Sequence, residues 1–199
     1  MAGRLLTDLM NRSPHDFRPI SALWSRNKVD FWAAVATLVG VLVLDVLAGL
    51  MIGVLVSLAG LMSRAVRPRI VWLGKDSNSG LFRNRKEDGV DATEGISVVH
   101  FGAELFFANV GTFRDSVLDE VDERRPRAVV IDAEAITDID TTAADEVVKL
   151  VDELASRDVT VVFARLQDPA RAVLVSGGLE MNDRDFGRVE LAVEALTNP

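Results

Sequence analysis

Cysteine is absent from the 199 residues, and histidine nearly so. Without cysteine there is no disulfide staple, no thiol nucleophile and no zinc site built on thiolates. The two histidines, His15 and His100, stand far apart with no ligand spacing, so neither a metal nor a cofactor is expected. Charge is missing elsewhere: between Phe31 and Met62 the one charged residue is Asp45. Positive charge is scarce over 87–199, where ten Lys and Arg face twenty-five Asp and Glu. Such a surface repels phosphates, which excludes a nucleic-acid binder. No glycine-rich phosphate loop, no nucleophile beside a base and no convincing carboxylate pair is present. The lone Asp138-x-Asp140 reads as a turn, and the chain is not expected to be an enzyme.

The uncharged stretch is the first positive signal. One helical crossing of a bilayer takes about 20 apolar residues at roughly 1.5 Å rise each. The run Phe31–Met62 has 32, long for one crossing and short for two. A single helix would hold the Asp45 carboxylate in hydrocarbon, at a cost of about 2.5 kcal/mol or more. A turn near Asp45 removes both difficulties and leaves two short membrane segments, 31–44 and 46–62. Their shortness implies that other helices surround them. Arg18, Arg26 and Lys28 precede the run, and Arg64, Arg67 and Arg69 follow it. Basic residues at both ends place both ends in the cytoplasm. Gly49 and Gly53 form a small-xxx-small pair that lets another helix approach closely. A secretory signal is excluded because the run starts late, is too long and lacks a small-residue cleavage site.

The division that follows is a flank over 1–30, membrane segments over 31–63, a basic linker over 64–94 and a domain over 95–199. Over 64–86 the linker holds seven Lys and Arg against one Asp, with a short strand-like patch at Ile70–Leu73. Beyond it the patterning becomes that of a folded domain. Ile96–Phe101 and Glu104–Phe107 read as strands with Gly102 at the bend, and Asn109–Val121 carries a helical stripe. Arg127–Asp132 is a near-continuous apolar strand, as expected where both faces are covered. Thr141–Leu154 reads as a helix, Val159–Phe163 as a strand, Pro169–Val175 as a helix stopped by Gly177-Gly178, and Val189–Leu196 as a last helix. That order predicts an open mixed sheet covered by helices.

Ile136-Thr-Asp-Ile-Asp-Thr-Thr-Ala143 joins a strand to a helix. Asp140, Thr141 and Thr142 are good cap residues, and Thr142-Ala-Ala-Asp145 has capping-box spacing. Free N–H groups and the helix dipole meet there. The residues alone leave two roles open: the threonines cap the helix, or a hydroxyl is phosphorylated and its charge changes what docks.

Phe31–Leu44 and Val46–Gly53 resemble the last two membrane segments of the SulP-type anion transporters, the sulfate permease family. Glu104-Leu-Phe-Phe-Ala-Asn109 and Ile136-Thr-Asp-Ile-Asp140 resemble the signatures of the STAS domain that closes those transporters. The resemblance covers nearly the whole chain. It implies a membrane helical hairpin followed by an α/β STAS domain, as the C-terminal portion of a secondary transporter of sulfate-like or bicarbonate-like anions. The STAS domain would serve regulation or assembly. The family's transporters resemble fourteen-segment proteins of two inverted repeats, with the anion held near the midplane by earlier segments, so no anion-coordinating residue is named here. Implied partners are the remaining transporter membrane core, absent from this chain, a second copy in a homodimer, and the lipid bilayer. The implied location is the inner membrane, multi-pass, with the STAS domain cytoplasmic. STAS domains also occur in bacterial anti-sigma-factor antagonists, in which the hydroxyl after the loop aspartate is phosphorylated by a partner kinase. Asp140-Thr141 matches that position. This makes Asp140, Thr141 and Thr142 a candidate regulatory loop for a kinase or regulatory protein, and makes a membrane-tethered STAS switch the alternative function.

Overall fold

The computed structural model describes residues 28–43, 45–66 and 68–197 of the chain. Arg18, Arg26 and Arg67 of the basic flanks, and His15, lie outside the described residues. The chain divides into two compact units, residues 1–63 and 64–199.

The first unit is a helical hairpin. Helix α1 spans Lys28–Val43 and α2 spans Val46–Val66. Over Val46–Ser63, α2 is long and apolar enough to cross a membrane; the apolar part of α1, Ala34–Val43, is shorter. Asp45 sits in the turn, where its Oδ1 accepts the N–H groups of Leu47 (2.7 Å) and Ala48 (3.1 Å). The carboxylate thus caps α2 and satisfies donors that have no partner inside the helix. Glycines set the closeness of the two helices. A Cβ on Gly49 would lie 2.3 Å from Val41 Cγ2 and 2.5 Å from the Val41 nitrogen, and one on Gly53 would lie 2.4 Å from Thr37 Oγ1. The partner that these glycines admit within the unit is the other arm of the same hairpin.

The second unit holds a seven-stranded sheet. Its strands are β1 Ile70–Asp76, β2 Phe82–Asn84, β3 Val90–Asp91, β4 Ile96–Phe101, β5 Ala128–Asp132, β6 Thr160–Ala164 and β7 Asp185–Phe186. They lie in the order β2-β1-β4-β5-β6-β7, with β3 also paired to β1. Strand β1 is antiparallel to its neighbours, and β4 through β7 run parallel. The helices are α3 Val110–Arg124, α4 Thr141–Ala155, α5 Asp168–Ser176 and α6 Val189–Thr197. Alternate residues of each strand face opposite sides. Val99, Phe101, Val129, Ile131, Val161 and Phe163 pack under α3, α4 and α5. Val98, Ala128, Val130, Val162 and Ala164 share the other side with Val189 and Ala192 of α6. All five residues of β5 are buried, which accounts for its unbroken apolar run.

Two sequence readings change. Residues 64–94 read as a linker with one strand-like patch, whereas 70–91 form three strands of the sheet. Their apolar content is low because two of them are very short and lie at the rim. A side-chain clamp holds them. Arg85 donates from both terminal nitrogens to the Glu120 carboxylate of α3 (2.6 and 3.1 Å), and its backbone N–H donates to the Trp72 carbonyl at 2.9 Å. Ser97 Oγ of β4 donates to the same carboxylate at 2.9 Å. Glu120 is only 4% exposed. Burial alone would push its carboxyl up; Arg85, Ser97 and Arg124 outweigh that and hold it below the usual range. The second change is at Glu104–Phe107, which is a loop with one bridge, Leu105 to Ile139, and no strand.

Candidate functional site

The two stretches singled out in the sequence, Glu104–Asn109 and Ile136–Thr142, meet at the end of the sheet where β4 and β5 finish. The chain also enters the unit at this end. Ile70 pairs with Phe101, and the Gly102 N–H donates to the Arg69 carbonyl at 3.0 Å.

The loops are laced together. Leu105 N–H donates to the Asp138 carbonyl and Asp140 N–H to the Leu105 carbonyl, both at 3.3 Å. Thr137 Oγ1 donates to the Glu104 carboxylate at 3.1 Å. Asn109, fully buried, accepts the Phe106 N–H through Oδ1 and donates from Nδ2 to the Glu104 carbonyl, both at 2.9 Å. A side chain therefore satisfies backbone groups that a strand would pair with a neighbour, which explains why Glu104–Phe107 does not extend the sheet.

Asp140 is the N-cap of α4. Its backbone is extended (φ −78°, ψ 162°), as a cap requires. Its Oδ1 accepts the Ala143 N–H at 2.7 Å and its Oδ2 accepts the Phe107 N–H at 2.8 Å. Thr141 and Thr142 are the first residues of the helix, and both are exposed. The cap thus falls two residues before the box suggested by Thr142 and Asp145. Phe107 projects nearby, 63% exposed, with its ring edge-on to Phe106 at 5.8 Å. Exposed carboxylates of Glu104, Asp138 and Asp145 complete the surface. Neither 101–113 nor 131–148 contains a Lys or Arg. Hydroxyls at the positive end of a helix, carboxylates and one exposed ring suit docking or modification. Among the described residues no three metal-ligating side chains converge.

A second cluster on the same sheet end escaped the sequence reading. Asp132, fully buried at the end of β5, accepts from Arg165 Nε (2.9 Å) and Nη2 (2.6 Å) and lies 2.6 Å from His100 Nδ1. Arg165 also reaches Glu134 at 2.6 Å. Burial alone would raise the Asp132 carboxyl; the bonds from His100 and Arg165 overcome it and hold the group below the ordinary aspartate range. Arg165 adopts φ 60°, a left-handed conformation costly for a side chain of this size. Its N–H donates to the Phe186 carbonyl at 2.8 Å, so the strain serves two contacts. The parallel pairing of His100 with Asp132 was the one signal available, and it needs the strand register to be known.

Comparison with known proteins places this geometry. The STAS domain profile matches residues 89–193. Sulfate transporter 1.1 of Arabidopsis thaliana is 29% identical over 154 residues, covering 71% of this chain and 24% of its own length. High affinity sulfate transporter 2 of Stylosanthes hamata is 26% identical over 153 residues, covering 71% and 23%. The chain spans about a quarter of the length of these curated relatives. A structure of the murine Solute Carrier 26 family member A9 (Slc26a9) anion transporter in the inward-facing state matches 99% of this chain and 33% of that one. The TM-score is 0.81 at 18% identity, a likeness of fold.

Proposed function

Because the chain belongs to the STAS domain family, we propose that it is the C-terminal portion of a SulP-type secondary transporter of sulfate-like or bicarbonate-like anions. The observation that carries this reading is one chain holding both an apolar hairpin and a STAS sheet. Relatives named as sulfate transporters match 71% of it, more than the STAS profile alone covers. The hairpin, as residues 31–63, lies in the inner membrane and seats against the transporter's remaining helices. Support comes from its open apolar groove of about 530 Å³, lined by Ala34, Thr37, Leu50, Gly53, Ser57 and Leu61 among others. Both ends of the hairpin face the cytoplasm, and the STAS unit works there in regulation or dimer assembly. Asp140, Thr141 and Thr142 form the loop at which a kinase or regulatory protein acts.

The test is anion uptake. The complete open reading frame that contains this sequence is expressed with and without residues 31–199, and labelled sulfate and bicarbonate uptake are measured at equal surface abundance. Uptake that depends on 31–199 supports the proposal. A reading frame with no membrane segments ahead of Phe31, and no uptake, overturns it in favour of a membrane-tethered switch. For the loop, Thr141→Glu and Thr141→Ala are compared for uptake; identical rates at equal abundance leave the threonine a mere exposed helical residue.

A further inference from the structure

We propose that Asp140 is a two-ended positioning residue: through its carboxylate, the exposed Phe107 takes its place from the start of α4, and whatever disturbs one end moves the other. The inference rests on the reading of this loop as a regulatory surface and adds how a change there would be passed on. One oxygen, Oδ1, takes the Ala143 N–H inside the helix at 2.7 Å. The other, Oδ2, takes the Phe107 N–H from the neighbouring loop at 2.8 Å. Helix start and loop are separated by 33 positions in sequence and share one planar group. A carboxylate offers two equivalent acceptor oxygens; a neutral amide offers one oxygen and a donor. Among side chains of this length, the carboxylate alone presents a separate acceptor oxygen to each N–H.

The neighbours leave Phe107 with little else to hold it. Asn109 secures Phe106 and Glu104 but not residue 107. The Phe107 ring is 63% exposed and touches the Phe106 edge. A negative charge placed on Thr141 repels the adjacent Asp140 carboxylate and competes with it for the first helical N–H groups. Asp140 then leaves one partner, and the Phe107 N–H loses its acceptor. The coupling is reciprocal: a partner that seats Phe107 differently weakens or strengthens the cap.

The absence of native cysteine permits a clean probe. Phe107→Cys, which keeps the backbone N–H, is labelled with a trifluoromethyl thiol reagent in the purified full chain in detergent, and its fluorine spectrum is recorded. The same label on Leu191→Cys, exposed on α6, serves as the remote reference. Asp140→Asn and Thr141→Glu are expected to shift or split the 107 signal and leave the 191 signal in place. Amide exchange at residue 107, in chains carrying the native Phe107, should accelerate about tenfold in both, as for loss of one hydrogen bond to a charged acceptor. Circular dichroism checks that each variant is folded; Thr141→Glu, at an exposed position, carries the test if Asp140→Asn is not. A 107 signal and exchange rate unchanged by Thr141→Glu overturn the coupling. Spectra that respond while uptake does not would keep the coupling and remove the regulatory role, so the two failures are told apart.

Discussion

Leu42 in the hairpin is 76% exposed, whereas Leu105 in the sheet unit is 2% exposed. The contrast holds across the two regions. Along α2, Val46, Leu47, Leu50, Val54, Leu58 and Leu61 all present more than half their surface. Among the described residues of the sheet unit, the large apolar side chains with half or more of their surface open are few: Leu81, Phe107 and Val175. Water tolerates the second pattern but not the first. Hydrocarbon reverses the demand, because apolar side chains no longer need covering and every backbone group must still be satisfied. The hairpin meets that demand with helices, an Asp45 cap and glycine contacts. The sheet unit meets its own with a two-sided core and charged groups locked in pairs.

This comparison breaks or sharpens at several points. The largest effect expected is on autonomy. A fragment of residues 68–197 should fold in water, whereas 94–199 should not, because it lacks β1–β3 and leaves Glu120 buried without Arg85. Circular dichroism and urea melts of the two fragments decide it; equal stability would return 70–91 to the status of a linker.

Next comes the clamp itself. Arg85→Ala removes one partner of a buried carboxylate and should cost about 3–5 kcal/mol, read from the urea midpoint. A loss below about 1 kcal/mol, the value for exposed pairs, would mean that water replaces the arginine. The hairpin counterpart is smaller. Gly49→Leu pushes a side chain into the Val41 backbone and should cost about 1–3 kcal/mol by overpacking. It is measured as spreading of a pair of spin labels placed on α1 and α2; an unchanged distance would show that the close glycine contact is not needed.

The smallest effect is a pH dependence confined to the sheet unit. The folded value of Asp132 lies below the unfolded one of about 3.9. Its stabilisation is therefore complete above that value and disappears as pH falls through the folded value. The stability gap between parent and Asp132→Asn should be widest at neutral pH and narrow from about pH 4 downward. A gap constant down to acid would mean that Asp132 is not held ionised by Arg165 and His100.

Much of the sheet was legible because its strands are covered on both faces. Ala128–Asp132 could hardly be anything but a central strand, and the stripe from Ala144 to Leu154 could hardly be anything but a helix under it. The break at Asp45 was legible because a lone carboxylate in an apolar run has few places to go. The rim strands were not, since Asp76-Ser-Asn-Ser-Gly80 carries turn signals. Its polar side chains bond locally, Asn78 N–H to Asp76 Oδ1 and Ser79 Oγ to Asp76 Oδ2, both at 2.8 Å. At the candidate site the sequence singled out the two loops but not their lacing. Asp140 stood out as a cap residue, yet its second bond goes to Phe107, and Asp132 finds Arg165 only after the strands are in register. Pairs so far apart in sequence have no local signature.

The central claim is that an apolar hairpin holds the STAS unit on the cytoplasmic side of a membrane. In a chain without native cysteine, single cysteines at Asn27, Val46 and Pro199 can be challenged with a membrane-impermeant maleimide in intact cells. The account predicts labelling at position 46 alone, with 27 and 199 reacting only after lysis. Labelling of 199 but not 27 in intact cells, or of 27 but not 199, would mean a single crossing and would contradict it.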